Sequence, residues 1–171
     1  MVAEITVRRI RPDDGPLLRS LRLAALADAP SEATTTLARA EAHDDDHWVE
    51  AAVANASGGL QATFIAEVDG PDGLEAVGLV GAYANRHGVA NVVGLWSAPG
   101  FRDVGVASVL LAEVQAWAVD AGADRLRMWV VERNDFARRF YESQGFEATG
   151  TAMPYEPDPR IRQCEMVLPL G

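Results

Sequence analysis

The run Arg102-Asp103-Val104-Gly105-Val106-Ala107-Ser108 lies between a strand-like segment and a helix-like one. The first turn of a helix carries unpaired backbone N–H groups and the positive end of the helix dipole. A pyrophosphate placed there gains several hydrogen bonds without a lysine. Gly105 and Ala107 matter by being small, because a bulky side chain would keep the backbone away from the anion. Arg102 and the Ser108 hydroxyl can add side-chain contacts. The same residues also suit a helix start whose small side chains serve only packing. The run is not the G-x-G-x-x-G dinucleotide pattern, and it lacks the G-K-[ST] ending of a P-loop, which counts against an NTPase.

Other reactive residue types are sparse. The sequence contains no lysine, which removes Schiff-base chemistry and a phosphate-binding lysine of the Walker type. Cys164 is the single cysteine, so no internal disulfide can form, and its strand context reads as a half-buried structural residue. His43-Asp44-Asp45-Asp46-His47 superficially resembles a metal-ligand cluster. Acids at a helix start are better explained by capping and dipole complementarity, and no metal is expected.

The elements that position the turn are legible from periodicity. Glu4 to Arg11 alternates as a first strand, and Pro12-Asp13-Asp14 opens a helix carrying Leu17, Leu18, Leu21, Leu23, Ala24 and Leu26 to about Ala29-Pro30. Ser31 to Ala42 reads as a loop or short helix. Asp44 to Ala54 reads as a second helix with Trp48, Val49 and Val53 on its apolar side. After the break at Asn55–Gly59 come three strands, Gln61–Val68, Leu74–Ala84 and Val89–Ser97, spaced as a meander. A long helix follows from Gly105 to Ala121, with Val109, Leu110, Val114 and Trp117 inward. Leu126–Val131 is a strand, and Asp135–Ser143 is a helix closed by Gly145. Glu147–Met153 and Gln163–Leu168 are final strands around a Pro-rich loop, Pro154–Pro159. The order βααβββαβαββ is a mixed α/β (α+β) arrangement, and the long crossover helix requires at least one parallel strand pair.

Bulk properties agree with one globular domain over residues 1–171. The chain is 49% hydrophobic and carries a formal net charge of -10. Such acidity disfavours nucleic-acid binding, which needs basic surface for phosphates. It is compatible with a cationic amine substrate, although acidity also simply serves solubility. No apolar run approaches the roughly 18 residues of a membrane helix. The segment Met1–Ile5 lacks signal-peptide character, so a cytoplasmic protein without membrane partners is expected.

Two stretches resemble one family. Arg102-x-x-Gly105-x-Ala107 is similar to the R/Q-x-x-G-x-G/A acyl-CoA signature of the GNAT superfamily of N-acyltransferases. Downstream, Asn134 to Phe146 resembles the N-x-x-A-x-x-x-Y-x-x-x-G-F stretch of the same superfamily. The element order also fits over nearly the whole chain, and the Leu21–Pro30 stretch looks like the first helix of small bacterial members. The resemblance implies a mixed, mostly antiparallel central sheet with helices on both faces and a splayed central strand pair.

It further implies N-acetyl transfer from acetyl-CoA to a primary amine by direct attack in a ternary complex. Acetyl is the default acyl group by resemblance alone. The opened edge of Val92–Ser97 would pair with the cofactor's pantetheine amides through Leu95 and Ser97, and a backbone N–H there would polarise the thioester carbonyl. Leu95 can pack in the core at the same time. Arg102, Asp103, Val104, Gly105, Val106, Ala107 and Ser108 would hold the pyrophosphate, and Asn134 and Ala137 would complete the cofactor contacts. Asn134 is equally natural as a helix N-cap. Tyr141 falls where the family carries its general acid, which protonates the departing thiolate; a half-buried helical aromatic is the plainer reading.

The family's frequent base, a glutamate early in the splayed strand, corresponds here to Asn91, which cannot serve. Deprotonation through water is then the default, with His87 and Glu132 as alternatives that also read as solvated surface. The acceptor, a small-molecule amine or a peptide or protein amine, would be recognised by Ser31–Asp46 and Pro154–Pro159, where Glu32, Asp44, Asp45, Glu156 and Asp158 could attract a cation. Family members often form dimers, so a homodimer is compatible. A rival reading is a non-catalytic acyl-CoA-binding module of the same fold. Another is an unrelated α/β fold without CoA.

Overall fold

The computed structural model describes residues 4–28, 36–85 and 87–171. Its strands are β1 (Thr6–Arg9), β2 (Gln61–Gly70), β3 (Gly73–Ala84), β4 (Val89–Ser97), β5 (Arg125–Val131), β6 (Glu147–Tyr155) and β7 (Asp158–Pro169). The helices are α1 (Gly15–Asp28), α2 (Leu37–Glu41), α3 (Asp45–Asn55), α4 (Val106–Asp120) and α5 (Asp135–Ser143). All seven strands form one sheet in the order β1-β2-β3-β4-β5-β7-β6. Every pairing is antiparallel except β4 with β5, the pair bridged by the α4 crossover. The expected mixed, mostly antiparallel architecture is what forms.

Two apolar clusters sandwich the sheet. In β2, Ala62, Phe64, Ala66 and Val68 point to one cluster, whereas Ile65 points to the other. Both faces of the strand are therefore covered, which is why it reads as a nearly continuous apolar run. Leu110, Leu111, Val114, Trp117 and Ala118 of α4 press on the first cluster, joined by Ala137, Phe140 and Tyr141 of α5. Leu18, Leu21 and Leu26 of α1, with Trp48 and Ala52 of α3, press on the second. Helices thus cover both faces.

Several expectations are corrected. Val49 and Val53 lie outside the core of α3, at 47% and 52% exposure. Trp48 and Ala52, one helical turn apart, form its buried side instead. Val109 sits at the exposed edge of α4, with the adjacent Leu110 and Leu111 facing inward. The Pro-rich segment 154–159 is no loop. Strands β6 and β7 run through it, and Tyr155 pairs with Asp158 across a two-residue turn. Pro154 is tolerated because β6 is the edge strand, where a missing N–H need not cost a ladder bond. The expected 31–42 connection contains the short helix α2, capped by Thr36, whose hydroxyl accepts from the Arg39 N–H. Residues 31–35, including Glu32, and the expected end of α1 at Ala29-Pro30 lie outside the described residues. No helix among the described residues is long and apolar enough to cross a membrane.

The start of α1 is tied to the sheet by Arg8. Its Nη1 donates to Asp14 Oδ2 at 2.7 Å, and its Nε to Glu67 Oε1 at 2.9 Å. Burial pushes the Asp14 carboxyl up, but hydrogen bonds from Arg8 and from the Arg11 backbone N–H outweigh it, and its pKa lies below the ordinary value. A carboxyl with a depressed folded pKa adds stability above its unfolded pKa, about 4, and loses it as the pH falls. Asp14→Asn is therefore expected to cost about 1.5–3 kcal/mol at pH 7. In thermal melts the gap from wild type should narrow as the pH falls below the unfolded pKa of about 4.

Candidate active site

Strands β4 and β5 pair only where Val89–Asn91 meets Arg125–Arg127, and then they part. On its other edge, β4 carries a bulge. Leu79 pairs with Trp96 and Gly81 with Val93, which leaves Gly94 and Leu95 opposite Val80 alone. An extra residue bends a strand and raises its local twist. Gly94 takes φ +62°, a left-handed conformation that favours glycine. The bulge thus accounts for the divergence of β4 from its parallel neighbour, and the splayed central pair forms as expected. Between them lies a cavity of about 130 Å³ lined by Leu95, Val130, Asn134, Ala137 and Tyr141, with Arg22 and Leu26 of α1 at its side.

Asn134 is the N-cap of α5, its side-chain oxygen accepting from the Ala137 N–H at 3.0 Å. Tyr141 is half-buried on the same helix, its ring edge-on to Phe140 and Phe146 at centroid distances of 5.3 and 5.8 Å. The α5 helix therefore carries both a polar cap and a phenol into the gap.

The turn at the end of β4 lies beyond this cavity. Arg102–Val104 makes one 3-10 turn, and Gly105 caps α4 at φ +90° with no side-chain hydrogen bond to the helix end. A Cβ added at Gly105 would meet nothing within 4 Å, so the backbone there is open. Val106 is fully buried in the core, so only its backbone is offered to the outside. Ala107 and Ser108 are partly exposed, and Asp103 and Val104 are exposed. Arg102 already has partners. Its Nε donates to the Ser97 carbonyl at 3.2 Å and its Nη2 is paired with Asp28. Asp28 also accepts from Trp96 Nε1 at 2.9 Å. The two strand residues therefore differ: Leu95 lies in the gap, whereas the Ser97 carbonyl is already partnered.

Asn91 is buried at 2% exposure, and its Oδ1 accepts from Arg127 Nε at 2.8 Å. His87 sits in the β3–β4 hairpin and Glu132 is exposed past the end of β5; neither lines the gap. Among the described residues, no carboxylate or imidazole does. Asp44 caps α3, accepting from the His47 N–H at 2.9 Å, while Asp45 and Asp46 occupy its first turn. The His43 and His47 rings stack at 3.6 Å, and among the described residues no group of three potential ligands gathers to hold a metal. Cys164 is half-buried in β7.

One residue at the site escaped the sequence reading. Arg22 lies beside Gly94 so closely that a Cβ there would run into its guanidinium. The available signal was positional. Leu18, Arg22 and Leu26 share one face of α1 at four-residue spacing, and an arginine within an apolar stripe is out of place on a purely structural face.

Strands β4 and β5 thus part beside a helix start that has no side-chain cap. Residues 23–146 match the model of the Acetyltransferase (GNAT) family, and the chain belongs to that family. It is similar to an uncharacterized N-acetyltransferase of Mycobacterium tuberculosis, 40% identical over 57 residues, which are 33% of this chain. That match spans 36% of the length of the mycobacterial relative. The fold is shared with an acetyltransferase of the GNAT family from Streptococcus pneumoniae at TM-score 0.77 and 20% identity, covering 98% of this chain and 100% of that one. It is shared as well with PaiA N-acetyltransferase from Thermoplasma acidophilum, solved in complex with coenzyme A, at TM-score 0.72 and 16% identity over 97% and 99% of the two chains.

Proposed function

We propose that this protein transfers the acetyl group of acetyl-CoA to a primary amine by direct attack within a ternary complex. The observation that carries the proposal is the β4–β5 gap, with Leu95 on one wall and Tyr141 on the other. Acetyl-CoA fits the residues present. The gap leaves backbone of the bulge for the pantetheine amides, and the open start of α4 from Gly105 to Ser108 suits the pyrophosphate. The cosubstrate supplies an acetyl group activated as a thioester.

The chain supplies positioning and one proton. The Leu95 N–H stabilises charge on the thioester oxygen. The amine nitrogen bonds to the acetyl carbon, the carbon–sulfur bond breaks, and the sulfur takes the Tyr141 hydroxyl proton. The proton shed by the amine leaves through water, since no carboxylate or imidazole among the described residues lines the gap, and water returns a proton to the Tyr141 phenolate. Asn134 holds the start of α5, and Ala137 keeps the wall low beside the thioester. We place this reaction in the cytoplasm.

Two measurements test this reading. CoA at about a hundred times its Kd should stabilise the fold by about 2.7 kcal/mol, which is roughly 5–10 °C in a thermal melt. A thiol-release assay with acetyl-CoA across a panel of amines should show turnover. Stabilisation by CoA without thiol release from any amine would leave a binding module, and no stabilisation at all would sink the cofactor assignment.

A further inference from the structure

A second cavity, of about 350 Å³, opens on the α1–α3 face of the sheet, in the size range of small-molecule sites. Arg22 and Val93 line both this cavity and the β4–β5 gap, so the two meet at the bulge. Trp48 and Tyr83 contribute aromatic surface, and the stacked His43 and His47 stand on one side. Among the described residues lining it there is no Asp or Glu, in a chain whose net charge is -10.

Arg22 is also unusual among the arginines. The other partly buried ones all have acceptors: Arg8 has Asp14 and Glu67, Arg9 has backbone carbonyls, Arg127 has Asn91 and Glu165, and Arg138 has Asp135. Arg22 has neither a hydrogen bond nor an ion pair among the described residues, and it is partly buried. An arginine does not escape this by losing its proton. A partly buried cation without a protein partner is left to water, and an oxyanion supplied by a ligand would form a stronger, charge-assisted pair with it.

We infer that the acceptor is an amine that also bears a carboxylate, specifically a free α-amino acid, whose carboxylate is held by Arg22 while its amine faces the thioester. This rests on the acetyl-transfer reading above. The geometry favours an α-amine because Arg22 lies against Gly94, the residue before Leu95. A carboxylate fixed there leaves the amine, two bonds away, beside the backbone that polarises the carbonyl. The side chain then points into the cavity toward Trp48 and Tyr83, which suits an apolar or aromatic amino acid. A polyamine would find an arginine and no carboxylate. A peptide N-terminus would present an amide in place of the carboxylate.

The test uses the wild-type protein with acetyl-CoA and a panel of α-amino acids, their carboxamides, spermidine and a tripeptide, read by thiol release. The expected result is a kcat/KM for at least one amino acid at least about tenfold above that of its carboxamide. Arg22→Gln should abolish that preference, and calorimetric titration should show that it no longer binds the same amino acid in the presence of CoA. A retained thermal shift with CoA certifies that the variant is folded. Carboxamides, spermidine or the tripeptide turned over as well as or better than every amino acid would overturn the inference while leaving acetyl transfer standing. An Arg22→Gln variant that keeps the preference would overturn it too. No thiol release from any member would remove the acetyl-transfer reading itself.

Discussion

Tyr141→Phe is expected to lower kcat by about 10²–10⁴-fold, the usual contribution of a positioned proton donor. The KM for acetyl-CoA should change little, because the phenol acts on the sulfur only as the bond breaks and contributes little to ground-state binding. The substitution is suited to the question. The ring contacts with Phe140 and Phe146 survive in phenylalanine, so the wall of the gap keeps its shape. Loss of one hydroxyl interaction should cost only about 1 kcal/mol of stability, a few degrees in Tm. Steady-state kinetics beside a thermal melt separates the two effects. A kcat within about threefold of wild type would remove Tyr141 from the acid role, since one tenfold step is already about 1.4 kcal/mol of barrier.

The parts of the site legible in the sequence are those set by local pattern. The α4 start was readable because small residues follow a strand and precede an apolar period of helical spacing, and the structure places an uncapped helix end there. Asn134 carried two readings, and the cap is visible as its bond to Ala137 N–H. What escaped was set by tertiary placement. Arg102 reads as a phosphate contact by sequence position, and its pairing with Asp28, remote along the chain, has no local signal. Val49 and Val53 read as core by hydropathy, yet the side of α3 that meets α1 is chosen by Trp48 and Ala52, where Gly15 admits close helix contact. The Pro154–Pro159 segment reads as a loop by composition, whereas its edge position allows proline within a strand. Acidic composition is compatible with a cationic acceptor and equally with plain solubility, because net charge describes the whole surface; the lining of the α1–α3 cavity is a local matter that composition cannot report.

The placement of Arg102 leads to a second large effect, which ranks two substitutions in the same turn. If the phosphate is held by backbone N–H groups at the start of α4, Gly105→Val should be far more damaging than Arg102→Ala. Gly105 sits at φ +90°, where a β-branched residue is strained by about 1–3 kcal/mol. Relief of that strain rotates the first N–H groups of α4 away from a common point. Each charge-assisted hydrogen bond lost is worth about 1.5–3 kcal/mol, or roughly 10–100-fold in affinity. Gly105→Val is therefore expected to raise the KM for acetyl-CoA by at least about 10²-fold and to erase the CoA-induced rise in Tm. Arg102→Ala removes a guanidinium already engaged by Asp28 and the Ser97 carbonyl, so its cost should stay near tenfold or below. Melts with and without CoA separate the two contributions, because backbone strain lowers Tm in both conditions while a lost phosphate site removes only the difference between them. A larger loss of CoA affinity in Arg102→Ala than in Gly105→Val would mean that the guanidinium leaves Asp28 for the phosphate, and that the side chain outweighs the helix end in holding it.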